Sequence, residues 1–154
     1  MKIVVVAVGK PRDRALAAAI GEYETRARRY WPLEVHEVRE EAARAASADL
    51  VREREGARLL ARLPAGAALV ACDETGEGLT SSEFAAWLQQ ERERARDVAF
   101  AIGGAYGLAP AVRQASVRRI ALAPWTLPHE LARLVLAEQL YRAGTIVRGE
   151  PYHK

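Results

Sequence analysis

The sequence predicts an α/β fold, a mostly parallel sheet with helices on both faces. Three observations carry this expectation. Short β-branched runs alternate with longer stretches of helical pattern, as where IVVVAV (Ile3 to Val8) leads into the segment from Arg12 to Tyr30. Several of the runs are continuously apolar rather than alternating, which suits strands covered on both sides. Glycine and proline punctuate the junctions between them. With 154 residues, 50% of them hydrophobic, the chain can bury one core, and neither a repeat nor a linker composition interrupts it. We read residues 1–154 as a single domain.

The elements follow in order. Ile3 to Val8 is a buried strand bounded by Gly9 and Pro11. A helix covers about Arg12 to Tyr30, and Pro32 breaks it. LEVHEV (Leu33 to Val38) alternates apolar and polar, as a strand nearer an edge does. A second helix runs from about Ser47 to Leu63 and ends at Pro64 and Gly66. ALVAC (Ala68 to Cys72) is a buried strand, and DETGEG (Asp73 to Gly78) is expected to be a loop. Thr80-Ser81-Ser82-Glu83 has capping-box spacing and opens a helix to about Arg96. DVAFAI (Asp97 to Ile102) is a strand, GGAYG a turn, and Pro110 the first residue of a short helix. Arg118 to Ala123 is a strand. Pro128 opens a long helix to about Ala143, Gly144 is expected to stop it, and Thr145 to Val147 to form a last short strand.

Composition narrows the function classes. One cysteine, Cys72, excludes an internal disulfide and fits a reducing compartment. The apolar run at the N-terminus ends after Val8, too short to cross a membrane, and no small-residue cleavage site follows it. A cytoplasmic location without membrane attachment is therefore expected. The net charge of +3 is mild. Basic residues gather at Arg26–Arg29 and Arg118–Arg119 and dot the last quarter as Arg133, Arg142, Arg148 and Lys154, which is compatible with a polyanion. The alternating signs of RERE and ERERAR read instead as solvated helix faces.

Ligands of such sheets sit beyond the carboxyl ends of the strands. Three segments leave strand ends with unusual chemistry: CDETGEG, IGGAYG and LAPWTLPH. Gly103 and Gly104 offer bare backbone to a ligand, or simply a tight turn. Their spacing to Gly107 fails the dinucleotide fingerprint, and no phosphate-cradling GxxxxGK[ST] occurs. The loop from Leu122 to Pro128 is apolar where loops are normally wet, which suits an adenine-sized ligand held by backbone groups and Leu or Trp walls. The following helix is apolar on nearly every side, so one face is expected to meet a partner subunit. On its stripe sits Glu138, with Arg142 one turn on. That pair is either structural or orients a substrate. His129 begins the helix, His36 reads as a packed strand residue, and no His/Cys/Asp/Glu group has metal-ligand spacing. No metal is expected. The chain closes with GEPYHK, a proline-stiffened Tyr-His pair where termini usually fray.

MKIVVVAVGK, the Glu22-Tyr23 pair, FAIGGAYGL, TLPHELARLVLAEQLYRA and the closing PYHK together resemble the ribosomal RNA large subunit methyltransferase H family, small members of the SPOUT methyltransferases. The likeness runs from the first residue to the last. It implies a C-terminal trefoil knot that forms the S-adenosylmethionine pocket. It also implies a homodimer, and transfer of a methyl group to N3 of a pseudouridine in a 23S rRNA stem-loop, helix 69, of the assembled ribosome. By the same resemblance the cofactor-binding positions are Cys72, Gly103, Gly104, Leu122, Ala123, Pro124, Trp125, Thr126 and Leu127. The catalytic candidates are Arg142, held by Glu138, with His153 or His129 as proton acceptor and Tyr152 stacking on the base. Cys72, Ala123, Trp125 and Gly144 differ from common family residues and bear on pocket width. A methyltransferase of the same fold acting on another RNA, and an RNA-binding factor without activity, are the rival readings.

Overall fold

The computed structural model describes residues 1–42, 44 and 47–154. Its centre is strand β1 (Ile3–Val8), in which every residue is buried. β1 pairs in parallel with β2 (Leu33–Val38) on one side and β4 (Val98–Ile102) on the other. β3 (Ala68–Gly78) continues the sheet from β4, and β5 (Arg118–Ala121) closes it, all in parallel. The order is β2-β1-β4-β3-β5. Parallel pairing places all the carboxyl ends on one rim.

Strand alternation divides the core in two. Ile3, Val5 and Ala7 point into a cluster shared with Trp31, Phe84, Leu88, Leu136 and Leu140. That side is covered by α1 (Arg14–Ala27), α3 (Ser81–Glu93) and α5 (His129–Val147). Val4, Val6 and Val8 point the other way, against Leu59, Leu108 and Val112. There α2 (Ala48–Leu60) and α4 (Pro110–Ala115) form the cover. Each fully buried Val, Ile or Leu contributes about 2 kcal/mol. The caps are those the sequence announces: Asp13, Ser47 and Thr80 accept from the backbone at the starts of α1, α2 and α3, the last as a complete capping box.

Two elements depart from expectation. The segment Asp73–Gly78 belongs to β3, not to a free loop. Its pairing with β5 skips: Cys72 and Glu77 both stand opposite Ile120. The intervening residues bulge outward, and their polar composition reflects that excursion. The second departure is α5, which runs through Gly144 and takes Thr145–Val147 into the helix rather than into a strand. Thr145 is accommodated because its hydroxyl donates to the Arg142 carbonyl at 2.7 Å. Gly144 is small for a packing reason: an added Cβ would overlap the Tyr30 side chain. The helix stops at Gly149, which adopts φ +68. Beyond it a 3₁₀ turn, Pro151–His153, folds the closing residues back onto α5.

α5 is fixed by more than apolar contact. Arg133, buried, bonds Glu24 of α1 at 2.9 Å and Glu37 of β2 at 2.8 Å. The Trp31 indole N–H donates to the Leu140 carbonyl at 2.8 Å. No helix among the described residues is long and apolar enough to cross a membrane.

The glycine contacts give a paired test by urea unfolding. Gly144→Ala is expected to destabilise by about 1–3 kcal/mol through overpacking against Tyr30. Gly21→Ala, in α1 where nothing lies within 4 Å of the added methyl, is expected to stabilise by about 0.5–1 kcal/mol. A neutral Gly144→Ala would remove the packing explanation for that glycine.

Candidate active site

The carboxyl ends of β3, β4 and β5 surround a cavity of about 330 Å³. At the end of β4 the chain turns sharply: the Gly107 amide donates to the Gly104 carbonyl at 3.0 Å. A Cβ on Gly103 would lie 2.6 Å from the Gly107 carbonyl carbon, so only glycine permits this fold-back. The wall it leaves is bare backbone. The β3 bulge makes a second close backbone approach, to β5. At Gly76 a Cβ would stand 2.6 Å from the Ile120 carbonyl carbon, so β3 lies directly on the backbone of β5.

The bulge carries a buried carboxylate, Asp73. It accepts from the Thr75 amide at 2.9 Å and hydroxyl at 2.6 Å, and from Nε of Arg113 on α4. Burial opposes its ionisation, but the Thr75 donors and the Arg113 guanidinium outweigh that and hold Asp73 below the usual carboxylate range. Glu74, next along, accepts from the Thr126 hydroxyl and so ties the bulge to the loop after β5. The neighbouring Cys72 thiol is pushed up to about 12, by burial first and then by Asp73. It is a neutral packing group, not a nucleophile.

The loop from Leu122 to Pro128 forms another wall. Leu122, Ala123, Trp125, Thr126 and Leu127 line the cavity together with Cys72, Gly103, Gly104 and His129. Pro124 does not line it and instead shapes the loop. Trp125 is 78% exposed at the mouth. Arg52, Asp73, Glu74, Tyr106, Leu108 and Arg113 also line the cavity, and sequence reasoning missed them. A carboxylate held by Thr75 and Arg113 has no local signal, because Arg113 arrives from another element.

Beneath the glycine turn lies Glu55 of α2, buried. Its Oε1 accepts from the Glu41 amide at 3.1 Å, while Oε2 has no partner among the described residues. A Cβ on Gly104 would come within 2.7 Å of Oε2. Burial raises the Glu55 pKa; the Glu41 amide lowers it, Glu40 adds to the rise, and Arg58 offsets part.

The remaining catalytic candidates stand elsewhere. Arg142 bonds Glu138 through Nε at 3.0 Å and a terminal amino group at 2.7 Å. Tyr152 donates to the same Glu138 oxygen at 3.1 Å. Its ring packs on Tyr141 at 4.5 Å, with the Arg142 guanidinium 4.8 Å from its centre. Burial, then bonds to Tyr23 and Glu138, raise the Tyr152 pKa. His153 is exposed, and its ring Nδ1 lies 3.0 Å from the Glu150 carbonyl. From Ala132, at the cavity, to Arg142 is ten residues of helix, about 15 Å. Within one chain the cavity and this cluster do not meet. Among the described residues no acidic, His or Cys group could hold a metal ion.

Comparison with known proteins agrees with this architecture. A family model described as a predicted SPOUT methyltransferase matches residues 1–153. Three bacterial relatives bear the name ribosomal RNA large subunit methyltransferase H. That of Gemmatimonas aurantiaca is 63% identical over 154 residues, with 100% of each chain covered. That of Anaeromyxobacter dehalogenans is 50% identical, again with 100% of each covered. That of a Geobacter species is 45% identical, with 99% of each covered.

Glu55 makes the site's pH response testable. With its pKa raised in the folded state, Glu55 costs nothing below its ordinary value of 4.5. The cost grows as pH rises from that value to the raised folded one, because in that window unfolding releases the proton, and it stays constant above. Glu55→Gln is therefore expected to raise the melting temperature at pH 8. At pH 4 it should have no effect. A gain of equal size at both pH values would show that Glu55 is ionised in the fold or strained for another reason.

Proposed function

The chain belongs to the SPOUT methyltransferase family, and we propose that it methylates N3 of a pseudouridine in a stem-loop of 23S rRNA, helix 69, on the assembled ribosome. S-adenosylmethionine is the methyl donor, and the enzyme works as a homodimer whose C-terminal half carries the family's trefoil knot. One observation supports this reading above the rest. The cavity combines bare glycine backbone, apolar walls and a proline-flanked loop where three strands end. The relatives' shared name supplies the RNA.

The walls suit an adenosyl group. Ile102, Leu108, Leu122 and Leu127 supply apolar faces, and the Gly103–Gly107 fold-back supplies backbone groups at close range. The donor presents an electrophilic methyl group on a sulfonium. The chain's own task is to align N3, take up its proton and offset charge on the uracil carbonyls.

Arg142 suits the last role. Glu138 fixes its fork, and the pairing raises the guanidinium pKa, so it stays charged. Its distance from the cavity of its own chain is resolved by a two-fold partner whose tail lies over the neighbouring cavity. Tyr152 then anchors the tail through Tyr141 and Glu138, while exposed His153 and Lys154 reach across. His153 on the tail and His129 at the cavity wall are the two proton acceptors within such a site.

Two measurements test this. Deleting Tyr152–Lys154 is expected to abolish methylation of ribosomes from cells lacking the enzyme, read by nucleoside mass spectrometry. Donor affinity by calorimetry should stay within a few-fold. Arg142→Ala is expected to lower the rate about 100-fold with donor affinity unchanged. Absence of donor binding in the intact protein would sink the proposal.

A further inference from the structure

We propose that the mouth of this cavity is a stacking site for unpaired RNA bases, with Tyr106 and Trp125 as the faces and Arg52 and Arg113 as phosphate contacts. The inference rests on the functional reading above and names the residues that receive the RNA.

Tyr106 sits in the turn after β4 and is 45% exposed; Trp125 sits in the loop after β5 and is 78% exposed. Both line one cavity. β3 lies between β4 and β5 in the sheet, so their carboxyl ends stand about 10 Å apart. An unpaired base entering the mouth would meet ring surface from both loops. An exposed tryptophan forgoes about 2 kcal/mol or more of burial. Trp31, by contrast, is fully buried. Apolar ring surface left open at the mouth of a site, flanked by arginine, is the pattern by which single-stranded nucleic acid is held.

The two arginines have donors to spare. Arg113 bonds Asp73 through Nε alone, which fixes the plane of its fork and leaves both terminal amino groups without a partner among the described residues. Arg52 uses one terminal amino group on Asp49, and the other has no partner among the described residues. The acids nearby are committed: Asp73 lies buried beneath Arg113, and Glu74 takes the Thr126 hydroxyl. The obvious alternative ring for a base, Tyr152, is already packed between Tyr141 and Arg142. A partner's tail brings Lys154, a cation, and cations at the mouth favour phosphate over it.

The experiment compares wild type with Tyr106→Ala, Trp125→Ala, Trp125→Phe and Arg52→Ala. Three readouts are taken: anisotropy of a labelled RNA hairpin, steady-state methylation of unmethylated ribosomes, and light scattering for oligomeric state. Each aromatic-to-alanine change is expected to weaken hairpin binding and raise the ribosome KM by about 10-fold or more. Trp125→Phe should restore most of the loss. Arg52→Ala should lower the salt slope of binding by about 1. Hairpin binding and KM unchanged in both alanine variants would overturn the assignment. So would conversion of the dimer to monomer, which would give the mouth to the partner subunit. If wild type binds the hairpin through these residues yet methylates nothing, the inference stands and the proposed activity falls. Methylation that persists at unchanged KM in the variants means the reverse.

Discussion

Backbone lying on backbone is the constraint from which the site follows. At Gly76, β3 touches the main chain of β5, and at Gly103 the end of β4 touches Gly107. Neither approach leaves room for a single methyl group. Because β5 is held this close, the loop that leaves it stands directly across from the glycine turn. The cavity between them is walled by peptide groups and short apolar side chains. Peptide groups donate and accept at fixed positions without side-chain entropy to lose. Such backbone walls discriminate by shape and by hydrogen bonding. Charged side chains also line it, with Asp73 paired to Arg113 and Glu74 used to hold Thr126.

Much of this was legible in the chain before the structure was seen, and the exceptions have physical causes. IVVVAV, ALVAC and DVAFAI read as buried parallel strands because both faces are covered, so apolar residues run without a break. The three strand ends stood out for glycine and for an apolar, proline-flanked loop. DETGEG was misread because its composition is that of a loop, and the bulge makes most of it one. Gly144 was misread as a stop signal. Its smallness serves Tyr30, a residue 114 positions away in sequence, and no local pattern encodes that contact. Glu55, Arg52 and Arg113 were missed for the same reason. Each reaches the site from a helix whose own periodicity is fully explained by packing. The Glu138–Arg142 pair was visible, since one helical turn sets it. Its separation from the cavity was not.

That separation is the central fact about α5. One end of the helix, at His129 and Ala132, lines the cavity, and the other carries Glu138, Arg142 and the returning tail. The helix cannot bend to join them. Arg133 bonds two carboxylates midway, Trp31 holds the Leu140 carbonyl, and Gly144 is seated on Tyr30. Removing Arg133 alone would leave Glu24 and Glu37 facing each other in a poorly hydrated space, at a cost of about 3–5 kcal/mol for such buried arrangements. A rigid strut about 28 Å long, at 1.5 Å per residue, therefore separates the cavity from the Glu138–Arg142 cluster, which the proposed function makes two half-sites.

Two half-sites on a rigid strut fit a two-fold symmetric pair. In an isologous contact the tail end of one α5 faces the cavity end of the other, and the same operation completes the second site. The ordering of the tail within its own subunit matters here. Tyr152 is already packed on Tyr141 and bonded to Glu138, and Tyr30 bonds Glu150. Most of the entropy lost in fixing the closing residues is thus lost on folding, not on association. What remains for association is to bring a preformed edge, with Arg142 and His153, against a preformed cavity. In the proposed two-fold pair, the closing GEPYHK of one chain would form part of the wall of its partner's cavity.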